Sequence, residues 1–340
     1  LKWLLRSLLL AALIVGCGRE EQKQLNVFAW AKYVGDEIKS GFEDEFGIRV
    51  VVDTFASNED LLTKMQSGVS GYDIIMPSDF MVAIMIKENL LVALDRQNIP
   101  NFKNISPQFR GKYFDPENRY SIPYTWGTAG IAYDSSIVTP PPDSWSVLWD
   151  EAYHRKFSML DDTRETIGVA LKLLGYSVNT VDPQELTAAK ERLLEQKSLV
   201  KLYKSEADEG LSSGDVVMSH CWSGDALRSA TARSSIKYVI PKEGTTQFID
   251  TICIPQSAPH KATAEQFINY LLRPEINAKI TEFTKYGTCV VEARNYVSED
   301  LRNHPGIYPS ENILSKFESL MDLGDFTPNY DRVWTELKAK

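Results

Sequence analysis

Leu25-Asn26-Val27-Phe28-Ala29-Trp30 opens the pattern that decides the fold. Leu25, Val27 and Ala29 alternate with Asn26 and Phe28, the period of a strand. From Asp36 onward, Ile38, Phe42 and Phe46 share one helical face, which stops at Gly47. Residues 48–52 are nearly continuously apolar, as a parallel-sheet strand should be. Ser57 caps a second helix carrying Leu61, Leu62 and Met65, and Gly68 ends it. Residues 72–76 give a third strand, closing at Pro77-Ser78. The order β-α-β-α-β predicts a parallel sheet with helical crossovers. Open sheets of this kind place ligands beyond the carboxyl ends of their strands. Trp30, Tyr33, Ser78 and Phe80 are therefore pocket candidates. The competing reading for the aromatics is packing between strand and helix, and it is the better one for Phe42 and Phe46.

The chain has 340 residues, too many for one ordinary core, so two domains are expected. A hydrophobic content of 43% and an aromatic content of 11% fit a packed globular protein and argue against disorder. Lys2 and Arg6 precede an apolar run at residues 8–15 that is too short to span a bilayer. Ile14-Val15-Gly16-Cys17 has the form of a bacterial lipoprotein cleavage site. Residues 1–16 are thus expected to be a signal peptide, Cys17 the lipidated residue, and residues 17–24 a polar tether. The alternative is an ordinary signal peptide with a chance cysteine. Removing the two basic residues of that segment leaves 35 Lys+Arg against 46 Asp+Glu. So acidic a chain is a poor nucleic-acid binder and a reasonable host for cations, although solubility alone also accounts for the charge. Cys221, Cys253 and Cys289 lack metal-ligand spacing, and one disulfide among them is left open.

Residues 120–134 contain Ser121-Ile122-Pro123-Tyr124 and then Gly127 and Gly130. The stretch is apolar enough for a strand and punctuated enough to bend, and it reads as the first, hinge-like crossing between lobes. Trp145, Leu148 and Trp149 recur at helix spacing. After a strand at residues 157–160, Asp162 and Glu165 have the spacing of a capping pair, with Ile167, Ala170, Leu171 and Leu174 on the apolar face. Asp162 reads equally well as a cap or as a site acid, and Glu165 would project into the cleft. Val216, Val217 and Met218 read as a short buried strand opening through a turn, Trp222-Ser223-Gly224, onto Asp225; Phe248 and Asp250 follow. Ring faces with acids at their edges suit an organic ammonium ion, because the ring attracts the cation and the carboxylate takes its N–H donors. The chain recrosses near Asp250. Tyr286 either faces the cleft or packs in the core. The last segment, through Leu320 and Trp334, returns to the second lobe. There is no phosphate loop, dinucleotide fingerprint or zinc-binding helix. His220-Cys221 is the one tempting nucleophile pair, but neighbours on a strand face opposite ways.

The ordered motifs extend this reading. They are Trp30-Ala31-Lys32-Tyr33-Val34, Pro77-Ser78, Tyr120-Ser121-Ile122-Pro123-Tyr124-Thr125-Trp126-Gly127, Asp161-Asp162-Thr163-Arg164-Glu165, Leu174-Gly175-Tyr176-Ser177, Trp222-Ser223-Gly224, Pro241-Lys242-Glu243-Gly244 and Leu271-Leu272-Arg273-Pro274. In this order they resemble the spermidine/putrescine-binding proteins of bacterial polyamine importers, in lipoprotein form, over residues 25–340. The resemblance implies an α/β, two-lobed periplasmic-binding-protein fold (type II-like), with two mixed sheets flanked by helices and a hinge and ligand cleft between the lobes. Lobe 1 would comprise residues 25–125 and 249–295, and lobe 2 residues 126–248 and 296–340.

Carried over by position, the family's aromatic box would be Trp30, Tyr33, Trp222, Phe248 and Tyr286. Its carboxylates would be Glu165 and Asp250, with Asp162 where the spermidine type has one, and Ser78 a polar wall. Phe80 matches neither type simply. Ala31 and Lys32 depart from the hydroxyl residue and the acid usual in the family. Phe248, Asp225 and Leu320 are putrescine-like, and Asp225 would hold the far ammonium of a short diamine. The implied function is a receptor in the periplasm or at the cell surface, lipid-anchored at Cys17, that delivers putrescine or, less readily, spermidine to an ABC permease. It would touch the membrane only through its lipid, use no cofactor, bind no nucleic acid and catalyse nothing. The alternatives are a receptor for another organic cation such as thiamine, a polyamine sensor, and a hydrolase using Asp162 and Glu165.

Overall fold

The computed structural model describes residues 23–68 and 71–339. The expected signal peptide, Cys17 and most of the tether lie outside them. Gln24, expected in the tether, already belongs to the first strand.

The opening pattern forms as β1 (Gln24–Trp30), α1 (Asp36–Phe46), β2 (Arg49–Phe55), α2 (Asn58–Gln66) and β3 (Ile74–Ile75). β1 pairs in parallel with both β2 and β3. Ile38 and Phe42 bury the inner face of α1, and the Ser57 hydroxyl accepts the Asp60 N–H at 3.1 Å to start α2. Two details depart from the sequence reading. β2 is the outer strand of the sheet, so Val51 and Val52 are only half-buried despite the apolar run. The third strand keeps two ladder residues rather than five, flanked by Asp73 N–H to Asn26 O (2.8 Å) and Met76 N–H to Phe28 O (3.1 Å). The next helix, α3 (Asp79–Lys87), begins directly after Ser78.

β4 (Ser121–Asp134) is fourteen residues long and buried throughout. The second half of the fold follows as β5 (Phe157–Met159), α4 (Thr163–Leu173), α5 (Pro183–Gln196), β6 (Val200–Tyr203), α6 (Asp208–Ser213), β7 (Met218–Trp222), α7 (Ser223–Ala232) and β8 (Ile236–Val239). The chain then passes through β9 (Thr246–Cys253), α8 (Lys261–Leu271), α9 (Pro274–Thr284), β10 (Gly287–Thr288) and β11 (Glu318–Ser319). One mixed sheet runs β2-β1-β3-β9 onto the first part of β4; the other runs from the last part of β4 through β7 and β5 to β6. β4 changes partners between Thr128, opposite Gln247 of β9, and Ala129, opposite Trp222 of β7. The two expected sheets are thus continuous through a single unbroken strand.

Three further points differ from expectation. β7 begins at Met218, because the Val217 N–H is still tied to Lys156 O (2.8 Å) before the ladder starts. Ser223-Gly224 is the first turn of α7 rather than a loop. Leu174 caps the C-terminus of α4 and is 38% exposed, off the apolar face. Cys221, Cys253 and Cys289 are all buried and unpaired, on β7, on β9 and after β10.

The first half packs around Phe42, Ile74, Phe267 and their neighbours. The second half packs around Trp145, Phe157 and Met218. Leu171, Leu186 and Leu193 of α4 and α5 meet Tyr330 and Leu337 of the C-terminal helix (Thr327–Ala339), which brings the chain end back to this half. Replacing Ser57 by Ala should cost about 0.5–2 kcal/mol. Urea unfolding should show a lower midpoint with an unchanged slope.

Candidate functional site

Trp30, Tyr33, Ser78, Phe80, Asp162, Glu165, Trp222, Asp225, Phe248, Asp250 and Tyr286 all line one cavity of about 250 Å³ where β4 and β9 pass between the halves. This is smaller than the roughly 300–1,000 Å³ of a site for a drug-sized molecule, so it suits a slender ligand.

Its walls are aromatic. Trp222 meets Phe248 edge to face (centroids 5.2 Å, 83°), and Phe248 meets Tyr286 likewise (5.4 Å, 86°). Tyr286 in turn lies 6.0 Å from Tyr33. Trp30 stands apart from this chain of rings and packs on Phe55 at 4.6 Å. Bare backbone lets the rings approach. A Cβ on Gly127 would sit 2.6 Å from Phe248 Cζ, and one on Gly224 would sit 2.6 Å from the Tyr286 ring. The glycines read as hinge punctuation in β4 therefore include one that makes room for the ring wall.

The acids are held from behind. Asp250, on β9, accepts Ser78 Oγ at 2.6 Å and also the Tyr33 hydroxyl. Asn58 fixes Ser78 in turn, donating to its Oγ at 3.2 Å and accepting its N–H at 3.1 Å. Tyr33 is anchored by the Tyr124 hydroxyl, which donates to its carbonyl at 2.8 Å. Glu165 Oε2 accepts the Thr246 hydroxyl at 2.6 Å. Asp162 is the N-cap of α4, accepting the Glu165 N–H at 2.9 Å, and it also lines the cavity.

Burial sets the charge state. It pushes Asp250 up to about 6, against the Ser78 and Tyr33 hydroxyls that favour its ionised form. It pushes Glu165 up to about 8, helped by the Asp162 charge, and raises Asp162 itself. The Arg164 charge lowers Glu165 and Asp162 without offsetting their burial. An ammonium entering the cavity would reverse those shifts.

Asp225 behaves otherwise. Read from the sequence as a free acid for a ligand's far ammonium, it is already bonded by the guanidinium of Arg228, which also donates to Thr284 O at 2.6 Å. Sequence reading also missed Asp79. It is 1% exposed, lines the cavity, and is pushed up to about 8 by burial, with the Asp250 charge adding to the shift. Its Oδ1 accepts the Phe80 N–H at 2.9 Å, while Oδ2 has no hydrogen-bond partner. The only available signal was an acid beside Ser78 at a helix start, where first-turn acids are common for dipole reasons. His220 and Cys221 form no dyad: burial lowers the imidazole to about 3 and raises the thiol to about 12.

This architecture is that of a two-lobed periplasmic binding protein. The chain belongs to the bacterial extracellular solute-binding protein family, whose sequence profile matches residues 37–308. It is 34% identical over 344 residues to the spermidine/putrescine-binding periplasmic protein of Salmonella typhimurium, covering 99% of each chain. It is 35% identical over 357 residues to the putrescine-binding periplasmic protein SpuD of Pseudomonas aeruginosa, covering 98% of this chain and 97% of that one. The solved structure of the TpPotD lipoprotein of Treponema pallidum superposes with a TM-score of 0.85 at 30% identity, covering 94% of this chain and 100% of that one.

The raised Glu165 carboxyl makes a stability prediction. In an unfolded chain it would titrate near 4.3, roughly the model-peptide value. As pH rises above that range the unfolded state loses its proton first, so the ligand-free fold loses stability until the pH passes about 8. Glu165→Gln should therefore melt higher than wild type at pH 8, by more than about 1 kcal/mol, and the difference should vanish by pH 4.

Proposed function

We propose that this protein is an extracytoplasmic receptor for a polyamine, putrescine in preference to spermidine, that hands its ligand to an ABC permease and catalyses no reaction. One observation carries the reading: Asp250, Glu165 and Asp79 are buried around a ring-walled cavity with no basic side chain among the described residues bonded to them. The relatives described above are named for binding putrescine or spermidine. Ammonium ends would take the carboxylates, while the methylene chain lies against Trp222, Phe248 and Tyr286. Each ring contact with a cation contributes roughly 0.5–2 kcal/mol. Phe248 and Leu320 favour the shorter diamine, since both are apolar where a longer amine would need a further polar partner.

The lobes proposed are residues 25–125 with 249–295, and 126–248 with 296–340. The change of sheet along β4 after Thr128 supports a crossing there, whereas Val297, Leu301 and Ile307, assigned to the second lobe, pack in the core of the first half. Ligand binding would shift the population toward the closed form, giving the permease one surface to recognise. Among the described residues no helix is long and apolar enough to cross a membrane, and attachment is proposed through lipid on Cys17. Cys17→Ser should abolish incorporation of labelled palmitate and move the protein from the membrane to the soluble fraction; unaltered labelling would remove the anchor.

Asp250→Asn should weaken putrescine by at least about 2 kcal/mol in calorimetry, the usual loss when a buried charged hydrogen bond loses one partner. The ligand's amines, like lysine, stay charged up to about pH 10. Binding therefore requires Asp250 and Glu165 to give up their protons. Affinity should fall as the pH drops from 8 through 6, with proton release visible as a dependence on buffer ionisation enthalpy. Unchanged affinity in the variant would take Asp250 out of the site.

A further inference from the structure

The two ends of the cavity differ in charge. The only bases among its described lining residues are Lys32 and Arg228, and both stand at the Asp225 end. Lys32 follows β1 with φ of 61°, a left-handed backbone rare for lysine. Its Nζ bonds Asp208 Oδ2 at 2.7 Å and lies 3.4 Å from Glu206 Oε2. Asp208 starts α6, in the half of the fold opposite to β1. Arg228 Nε approaches the same Asp208 oxygen at 3.3 Å, while its Nη2 holds Asp225. Three acids and two bases are thus locked together across the cavity mouth, and all but Asp208 line the cavity. The Asp208 pairings hold its carboxyl below the usual range, despite its burial.

We infer that Lys32 is an internal stand-in for a ligand ammonium. It fills the corner made by Asp208 and Glu206, straps the two halves of the fold across the cavity mouth, and denies that corner to a cationic ligand. A diamine places both charges elsewhere, among Glu165, Asp162, Asp79 and Asp250. A triamine needs a third anionic partner, and at this end it meets Lys32 and Arg228. Like charges so close are repelled, and the acids they hold are already satisfied. Specificity is a difference between two affinities, so a repulsive element is as effective as an added contact. Without the strap, Glu206 is unpaired and Asp208 is held by Arg228 alone, which leaves an anionic corner open to a ligand ammonium. This inference rests on the polyamine reading and deepens it.

The test is calorimetry of wild type, Lys32→Ala and Lys32→Arg with putrescine and spermidine, beside small-angle scattering of each ligand-free protein. Lys32→Ala should improve spermidine relative to putrescine by about five-fold or more, the scale of one partly exposed charge contact. Lys32→Arg should keep the wild-type ratio. Ligand-free Lys32→Ala should scatter as a more open particle than wild type. An unchanged ratio in Lys32→Ala overturns the specificity role, and an unchanged ligand-free shape overturns the strap. If wild type binds neither amine, the polyamine reading fails by itself, and the scattering comparison still decides whether Lys32 ties the halves together.

Discussion

Everything about this site follows from the cost of an unpaired charge away from water. Removing one partner of a buried ion pair typically costs several kcal/mol, because the remaining charge has neither solvent nor counter-ion. Here Asp250, Glu165 and Asp79 sit in that situation with burial raising all three. The fold relieves that cost only in part, through the Arg164 charge beside Glu165 and a few hydrogen bonds. Ser78, Tyr33 and Thr246 hydroxyls and the Phe80 N–H orient the carboxylates and favour their anions only in part. What is missing is a positive charge, and a cation arriving from outside gains what the empty protein forgoes.

The scaffold turns that local tension into a shape. β9 pairs with β4, the strand shared by the two sheets, and carries Phe248 and Asp250, while Trp222 on β7 and Tyr286 before β10 complete the ring wall. Phe248 and Asp250 flank Ile249 on β9, where Phe248 stands over Gly127 and Asp250 bonds Ser78 and Tyr33 of the first half. Residues separated by up to 217 positions in the chain thus share one hydrogen-bonded cluster. A small relative movement of the halves would open the rings and the acids together, which is the behaviour required of a receptor that must both capture and release.

Charge balance at the far end shows how the same physics yields two outcomes. Asp225 and Asp208 are acids near the cavity, but Arg228 and Lys32 already satisfy them. Composition cannot separate a satisfied carboxylate from an unsatisfied one, since both are a single letter in the sequence. That is why Asp225 was legible as a cavity residue and misjudged in its role. Lys32 was read as the loss of a family acid, whereas in space it is the gain of a cation. Asp79 escaped notice because an acid at the start of a helix has an ordinary explanation.

The sequence alone determined the local chemistry. Alternation and helical spacing gave the β-α-β-α-β opening, Ser57 and Asp162 gave the caps, and Trp30, Tyr33, Ser78 and Phe80 could be named from their places beyond strand ends, while the family resemblance implied the full set of rings and the acids Glu165 and Asp250. These are short-range properties, set by side chains within a few residues of one another. Tertiary structure alone decided which acids have no basic side chain bonded to them, that β4 is one unbroken strand shared by two sheets, that β2 lies at an edge, and that Lys32 reaches Asp208 across 176 positions of chain. Each of these depends on what stands opposite a residue in space, and partners so distant in the chain leave no period or spacing in the sequence to be read.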